Sequence, residues 1–491
     1  MTVYGRAIDL LRAQPALADV AAYPFEFDLS RAEHVEAVRL ASGASLEPVA
    51  GDGTGGTYFV CGGGPVLYAS SEGEAGLIGD SLDEALEVLV GLPGWHGLLH
   101  LSPTADADQL LAAVAGAEAE IRAYIPDLDT RRAELRAALG FPARSPVELI
   151  TRLHTALLRT EPDHLLLNSA EGPAYARLDP HPRPPLRETV LAAGRADLAL
   201  LRESTAGWAD AEQDGGRRAA VLRAAQFDRQ DRDLPLLRRL LAAEAADPER
   251  SEELRLAAVL VALHGRAGDL PLLGQVRTAK PALRWGPDGF PERPEALAEW
   301  ARGVDGALYG EDPAREPELT WIRLAARQGR TEAARVALLR ILDDTGPQAD
   351  LLRALSVELE ALGDHFQAAR AQSGYASLQD RPWDRASAYR RLAGLQRRSG
   401  DPAGAWETLR RVPEILDAEG SDRPWRRLGL GTLVTAESFE IALAAAGAGL
   451  ATVATEALAV AGELHAGMSK SAHRNLGMLA QEAKWAVARL K

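Results

Sequence analysis

The pattern of apolar and polar positions divides the chain into a short region with strand character and a long helical remainder. Residues 57–61 (TYFVC) and 66–70 (VLYAS) are rich in aromatic and β-branched side chains, and a Gly-Gly-Gly-Pro sequence joins them. Two such runs with a glycine-rich connection predict an antiparallel β-hairpin. From about Ala105 onward the apolar residues recur with helical spacing, so we expect strands only in the first hundred residues.

A helix is predicted shortly after this hairpin. Ser81 can accept a hydrogen bond at the helix N-terminus, and Glu84 stands three residues later as its capping-box partner. The apolar stripe of this helix ends near Gly91 and Pro93, which are typical of a helix C-terminus. The hairpin and the helix together indicate a small α+β unit.

A proline-rich segment and an internal repeat organise the next part of the chain. Residues 180–185 (PHPRPP) cannot form a helix or a central strand, so they mark a joint. Beyond it the motif Asp-Leu-x-Leu-Leu begins at Asp197, Asp233 and Asp269, at a constant interval of 36 residues. We expect each aspartate to cap a new helix, and a period of this length predicts stacked helix pairs.

A second repeat pattern, Gly-x4-Ala, runs through the last third of the chain. The glycine is expected at the turn between two helices, and the alanine where the second helix packs closely on the first. The pairs are Gly329 with Ala334, Gly363 with Ala368, Gly400 with Ala405, and Gly449 with Ala454. This pattern resembles the tetratricopeptide repeat, although Gln372 and Gln396 stand where that repeat has apolar side chains. The resemblance implies a degenerate array of tetratricopeptide-like or HEAT-like repeats.

These patterns together predict a mostly α protein, in which a small α+β N-terminal domain is followed by an α-solenoid of helix-pair repeats. The predicted units are the α+β domain (1–102), a helical connector ending in the Pro-rich joint (103–185), the 36-residue repeats (186–314) and the tetratricopeptide-like repeats (315–491). A chain of 491 residues is too long for one core, because cores stop growing near ~250–300 residues.

The charge balance narrows the class of partner. The chain has 55 basic and 70 acidic residues, a net charge of −15. Residues 1–102 have 14 acids and four bases, so most of the surplus lies in the predicted α+β domain. A protein that binds nucleic acid normally has the opposite sign of charge. We therefore expect no nucleic-acid partner and favour a protein partner, in particular a basic one.

The acids within residues 51–102 are the candidate partner-binding residues. This segment has seven acids and no base, which fits a solvated surface and a surface for a basic partner equally well. Asp52, Glu72, Glu74 and Asp80 fall in predicted loops, where a partner can reach them. The other three acids belong to the helix that follows Ser81 and can serve its N-terminus.

Two further features concern the compartment. Arg6 and Asp9 interrupt any apolar region at the start of the chain, so we expect no secretory signal and a cytoplasmic location. The most membrane-like stretch, residues 441–462, is rich in alanine and contains Glu456, which favours buried helices over a membrane span.

A glycine motif resembles a nucleotide-binding sequence but stands in the wrong context. Gly51, Gly53 and Gly56 spell GxGxxG. In a dinucleotide site this motif follows a strand and opens a helix, whereas here it leads into a predicted strand. We therefore expect a turn at this position and no cofactor.

No motif indicates catalysis or a metal centre. His96 and His100 have metal-ligand spacing only on a helix, which Gly94 and Gly97 disfavour. Cys61, the single cysteine, has no neighbouring His or Lys in sequence to lower its pKa, so we expect a buried, unreactive thiol. The sequence predicts a non-catalytic protein without a metal site.

The order of features in residues 1–102 resembles the SUKH superfamily, the Smi and Knr-like proteins. These features are a Gly-rich turn, the two strands, the Ser71-Glu72-Gly73 segment, and a Ser-capped helix that ends in Pro93-Gly94-Trp95. The resemblance implies a small α+β domain that binds other proteins. In bacteria such a domain is most often an immunity protein that blocks a secreted toxin, commonly a nuclease.

Two functions therefore lead, with an enzyme as the weakest third. An immunity-like or antitoxin-like protein would neutralise a basic toxin through the acidic N-terminal domain. A regulatory scaffold would bind proteins or peptides through its helical-repeat array, whose concave surfaces suit such ligands. The immunity-like function ranks first and the scaffold is the alternative, which the length of the array strengthens because many immunity proteins of the SUKH type are little more than the one domain.

Overall fold

The predicted hairpin lies at the centre of a five-stranded sheet. The structure, a computed structural model, describes residues 6–102, 104–247, 252–279, 285, 291, 293–418 and 425–490. Its strands are β1 (Val38–Leu40), β2 (Leu46–Gly51), β3 (Thr57–Cys61), β4 (Val66–Ala69), β5 (Glu74–Gly79), β6 (Leu166–Asn168) and β7 (Ala176–Arg177). The main sheet has the order β2-β3-β4-β5-β7, and β3 pairs with β4 in antiparallel register, Thr57 opposite Ala69. The hairpin prediction is confirmed.

Strands also occur far beyond the first hundred residues, so that part of the prediction is wrong. β6 pairs with β1 as a separate two-stranded antiparallel sheet, and β7 adds to β5 in parallel. Both strands are two or three residues long, which is too short for a periodic pattern. Their conformation depends on partner strands more than a hundred residues away along the chain.

Six helices surround the main sheet. They are α1 (Arg6–Ala13), α2 (Pro15–Ala22), α3 (Leu82–Gly91), α4 (Ala107–Tyr124), α5 (Leu128–Leu139) and α6 (Pro146–Leu158). The Ser81 side chain accepts from the Glu84 amide, as predicted for the cap of α3. The Glu84 carboxylate, however, accepts from the amide of Asp80 and not of Ser81, at 2.9 Å.

The core of this first unit does not stop at residue 102, the predicted boundary. One continuous apolar cluster contains Ala7 of α1, Tyr58 of the sheet, Leu153 of α6, and Leu178 beyond β7. α6 lies against β5 so closely that a Cβ on Gly76 would be 2.7 Å from a methyl of Leu157. The segment predicted as a connector is helical, and its helices complete the core that the sheet begins.

The 36-residue repeat forms helix pairs, but its aspartates have a different role from the predicted one. The helices are α7 (Leu186–Glu203), α8 (Trp208–Gln213), α9 (Gly215–Phe227), α10 (Leu234–Ala246), α11 (Glu252–Leu263), α12 (Leu270–Ala279) and α13 (Pro294–Leu308). Asp197 lies within α7 and caps nothing. Asp233 accepts from Arg202 and Asp269 from Arg238, two arginines that are themselves 36 residues apart. The 36-residue period therefore arises in part from an Arg–Asp pair that recurs between neighbouring helices.

The last third of the chain is an array of antiparallel helices. They are α14 (Glu318–Arg327), α15 (Thr331–Asp344), α16 (Ala349–Ala361), α17 (His365–Ser377), α18 (Pro382–Arg398), α19 (Pro402–Leu409), α20 (Arg411–Ala418), α21 (Gly429–Gly447), α22 (Ala451–Ala466), α23 (Lys470–Asn475) and α24 (Gly477–Ala488). Short 3-10 turns elsewhere span Leu29–Arg31, Trp95–Leu98, Thr205–Gly207, Asp231–Asp233, Ala267–Asp269, Pro313–Arg315 and Trp425–Arg427.

The Gly-x4-Ala pattern has the geometry predicted for it. The four glycines have φ between 74° and 90°, a left-handed conformation that glycine adopts without strain. At each turn the amide after the glycine donates to a carbonyl five residues earlier at 2.9 Å, as Arg330 does to Ala325. The four alanines are fully buried. These turns make the helix-pair repeats, and the mostly α fold with an α+β N-terminal part is confirmed.

The apolar stretch 441–462 is divided between two helices. α21 ends at Gly447 and α22 begins at Ala451, so this stretch turns back on itself. Within the described part of the chain, Gly429–Gly447 is the one helix whose length and composition would allow it to cross a membrane, and 61% of it is buried in the fold.

The first unit is fastened to the repeat array by a carboxylate between two arginines. Glu161 accepts from Arg177 of β7 at 2.6 Å and from Arg340 of α15 at 2.6 Å. Arg340 also donates to the Tyr175 carbonyl at 2.8 Å. Burial alone would raise the pKa of the Glu161 carboxyl, but Arg177 and Arg340 more than offset this and hold the pKa below its ordinary value. The carboxylate is therefore ionised where the two parts meet.

Replacing Glu161 by Gln should weaken this joint. We expect a loss of about 2 kcal/mol at pH 7, the lower end for breaking a buried ion pair because Arg177 is partly exposed. A lowered folded-state pKa stabilises the fold above the unfolded pKa, near ~4.3, and this contribution is lost as the pH falls through the folded pKa. The difference in thermal midpoint between wild type and Glu161→Gln should therefore shrink below about pH 4.

The control for this prediction is Glu407→Gln, which removes an exposed pair with Arg410 at the C-terminal end of α19. Its effect should be within about 0.5 kcal/mol. Hydrogen exchange should also quicken in residues 166–177 of Glu161→Gln alone. An equal midpoint for Glu161→Gln and wild type at neutral pH would contradict the role of this carboxylate.

Candidate protein-binding groove

The acids that the sequence offered as partner-binding residues lie in different environments. Asp52 is 1% exposed, so it cannot contact a partner and that prediction is wrong. Its carboxylate accepts from the Tyr68 hydroxyl at 2.6 Å and from the amides of Thr54 and Gly56 at 2.7 and 2.9 Å. Burial raises the pKa of Asp52, but these hydrogen bonds outweigh burial and keep the pKa below its ordinary value. Asp52 holds the Gly-rich turn in shape.

Asp80 is exposed but not free. It forms an ion pair with Arg159, which lies just after α6 and is also about half exposed. Glu72 and Glu74, on the turn before and at the start of β5, are exposed. Of the four candidates, only Glu72 and Glu74 are therefore both exposed and without an ion-pair partner among the described residues.

The acids of α3 are also paired across the fold. Arg144 donates to Glu87 at 2.8 Å, and Arg152 lies 3.3 Å from both Glu84 and Glu87. Both arginines belong to the segment after residue 102, which also contributes Arg159. Three of the seven acids in residues 51–102, Asp80, Glu84 and Glu87, are thus paired with bases of α6 and its flanks.

The remaining chemical candidates have structural roles. The glycine motif 51–56 joins β2 to β3, so it opens no helix. His96 lies in a 3-10 turn, where its Nδ1 is 3.4 Å from Glu26. Cys61 is buried, and burial raises the pKa of its thiol to about 12. In the parts of the chain that the structure describes, no three His, Cys, Asp or Glu side chains form a cluster that could hold a metal ion.

A groove of about 650 Å³ runs along the repeat array between α14, α16, α17 and α18. Three of these helices, α14, α16 and α18, are the first helices of successive pairs. The residues that line it are Arg323, Asp350, Arg353, Ala354, Val357, Glu358, Gln372, Tyr375, Asp384, Ser387, Ala388, Arg390 and Arg391. We refer to this cavity as the groove.

Two of the positions that line the groove recur along the chain with the period of the helix pairs. Asp350 and Asp384 are 34 residues apart, as are Ala354 and Ala388. On each helix the alanine is one turn after the aspartate, so both point to the same side. The small alanine side chains leave room along this side, and the exposed Val357 adds an apolar surface. The groove thus lies against equivalent positions of two successive first helices, α16 and α18.

Arg390 is the residue that distinguishes the groove. Its Nε is buried, and no hydrogen bond or ion pair reaches its guanidinium from the described residues. Partial burial lowers the pKa of Arg390, the charges of Glu437 and Glu360 raise it, and the like charges of Arg391 and Arg398 lower it further. A desolvated cation without a partner is costly. The neighbouring arginines differ, since Arg391 and Arg398 both pair with Glu360.

Gln372 adds an acceptor to the same groove. It is buried, and its amide nitrogen donates to the Ala388 carbonyl at 3.1 Å. Its side-chain oxygen has no donor within the described chain. The sequence showed Gln372 as a polar residue at an apolar repeat position. The structure shows that one end of the amide ties α17 to α18 and the other end is unsatisfied.

Sequence reasoning did not find the groove, although one signal was present. The Asp-x3-Ala spacing on α16 and α18 repeats at 34 residues, which indicates one recurring face on these two helices. Nothing in the sequence distinguishes Arg390 from Arg391, because which of the two finds an acid depends on the packing of α18.

Comparisons of the chain with protein-family models, curated proteins and solved structures give no match. The groove is therefore the main basis for assigning a function.

Arg390 should contribute little to stability, unlike a paired arginine on the same helix. We expect Arg390→Met to leave the thermal midpoint unchanged or to raise it, because the substitution removes a partly buried charge that has no direct ion-pair partner among the described residues. Arg397→Met should lower stability by on the order of 2 kcal/mol, since Arg397 donates to Glu437 at 2.7 Å and pairs with Glu440. Thermal unfolding of the two variants tests this directly. A marked loss of stability in Arg390→Met would show that the residue has a structural partner.

Proposed function

We propose that this protein is a non-catalytic scaffold that binds another protein through the groove of its helical-repeat array. The observation that supports this most is the unpartnered guanidinium of Arg390 in a groove with an unsatisfied Gln372 oxygen. Buried polar groups in folded proteins are normally hydrogen-bonded, so groups left over in an open groove favour a ligand that completes them.

The shape of the groove supports a peptide segment over a compact ligand. It extends across three successive helix pairs, and arrays of this kind present elongated surfaces that fit extended chains. The exposed Val357 offers apolar contact beside the polar groups. A mixture of apolar contact and a few convergent polar groups is typical of protein recognition.

Blocking the groove should abolish binding of the partner. We expect Ala354→Phe to fill the groove, while Ala459→Phe places the same side chain at an exposed position of α22. Full-length wild type and both variants are used to capture proteins from native lysate. A partner retained by wild type and Ala459→Phe, but reduced at least tenfold with Ala354→Phe, supports the proposal. Equal retention by all three would contradict it.

The acidic first unit supports a second candidate, an immunity-like binder of a basic protein. Residues 1–178, which share the first core, have 25 acids and 12 bases, so they hold most of the net charge of the chain. Glu72 and Glu74 are exposed on this unit. A field of one sign speeds capture of a partner with the opposite sign. Asp52 is buried and cannot contact a partner, so the immunity-like function has less support than the scaffold function.

Electrostatic capture would show in the association rate. For a basic partner retained by Ala354→Phe, we expect the association rate to fall as NaCl rises, and to fall further for the Glu72→Lys, Glu74→Lys double variant. The control is Glu414→Lys, Glu482→Lys, which makes the same charge change at exposed positions in the repeats. Equal rates and salt slopes for the two double variants would rule out recognition by this pair of acids.

A further inference from the structure

The groove contains one partly buried arginine, Arg390, that has no direct ion-pair partner among the described residues. Arg391 and Arg323, which also line it, pair with Glu360 and Glu358. Arg390 has no such partner among the described residues, and its Nε has no solvent exposure. A guanidinium is planar and offers paired N–H donors, a geometry that a carboxylate matches in a bidentate fashion. The missing group therefore has the chemistry of a carboxylate.

The rim of the groove disfavours a polyanion. Asp350 and Asp384 line it and are both exposed, and neither has an ion-pair partner in the described chain. Of the arginines on the rim, Arg353 is exposed, whereas Arg323 is paired with Glu358. A nucleic acid or a run of acidic residues would bring further negative charge to Asp350 and Asp384. A single anionic group can pair with Arg390, whereas further anionic groups would be repelled by Asp350 and Asp384 at the edge of the groove.

The unsatisfied Gln372 oxygen accepts a hydrogen bond, so the ligand must also carry a donor. A peptide backbone supplies N–H groups along its length. The exposed side chain of Val357 can contact an apolar residue of the same peptide. The Arg390 Nε has no solvent exposure, so the guanidinium lies below the surface of the groove. The carboxylate of a Glu or Asp side chain can reach this guanidinium while the peptide backbone stays at the opening of the groove. A terminal carboxylate would have to bring the backbone itself into the recess.

We propose that the groove binds an extended peptide segment through one internal Glu or Asp side chain, whose carboxylate accepts hydrogen bonds from Arg390. The Gln372 oxygen accepts from a backbone N–H of the same segment. This inference rests on the proposed scaffold function and specifies the partner, which presents a single acidic side chain in a mostly neutral segment.

The test uses an array of labelled 12-residue peptides in a neutral Ala, Leu, Ser and Gln background, with one Glu placed at each position in turn. Each peptide has a matched form with Gln in place of Glu. For the full-length protein, we expect the best Glu peptide to bind at least about tenfold more tightly than its Gln form. Arg390→Gln should remove this difference, and Arg390→Lys should restore part of it, because lysine keeps the charge without the planar fork.

The matched control is Arg411→Gln, an exposed arginine of α20 outside the groove, which should bind the peptides as wild type does. Thermal midpoints of all variants show whether each is folded. Equal binding of Glu and Gln peptides to wild type, or an Arg390→Gln variant that keeps the preference, overturns the inference. So does tighter binding of a neutral peptide with a free C-terminal carboxylate, or of a phosphoserine peptide. In each of those cases the scaffold proposal would still hold if Ala354→Phe loses the partner that wild type captures from lysate.

Discussion

The ion pairs of Glu161 hold the two halves of this molecule in one arrangement. The carboxylate contacts Arg177 at the edge of the first sheet and Arg340 on the repeat array. Around it, Asp343 accepts from the Ala174 amide at 2.9 Å, and Gln367 donates to the Gly172 carbonyl at 2.6 Å. The loop between β6 and β7 is thereby bonded to α15 and α17.

Apolar packing extends across the same joint. Leu165 and Leu167 beside and within β6 belong to one core cluster with Leu338 and Leu339 of α15. A Cβ on Gly172 would lie 2.9 Å from the Phe366 ring, so this loop fits against α17 only with glycine at that position. The acidic unit and the groove are consequently parts of one packed body, and a partner bound at either surface is held in a defined geometry relative to the other.

The arginines of α18 illustrate how stability and binding are separated in this fold. Arg391, Arg397 and Arg398 pair with acids of neighbouring helices and so contribute to the array. Arg390 is partly buried without such a partner, and its burial costs free energy that no direct ion pair within the described chain offsets. A fold retains such a group at little overall loss when the surrounding contacts are strong enough, and strained or unsatisfied groups are concentrated at sites of function.

The sequence by itself determined the features that depend on a few neighbouring residues. The Ser81 cap, the 57–69 hairpin and the left-handed Gly turns of the repeats are local, because each needs only a short stretch of chain and one conformational preference. Helical periodicity likewise indicated the mostly α fold. Tertiary structure alone decided the rest. Asp52 is buried because Tyr68 reaches it across the sheet, β6 and β7 exist because of distant partners, and Arg390 differs from Arg391 because of where Glu360 lies. Each of these outcomes depends on which distant side chain occupies the adjacent space, and that information is absent from any local stretch of the sequence.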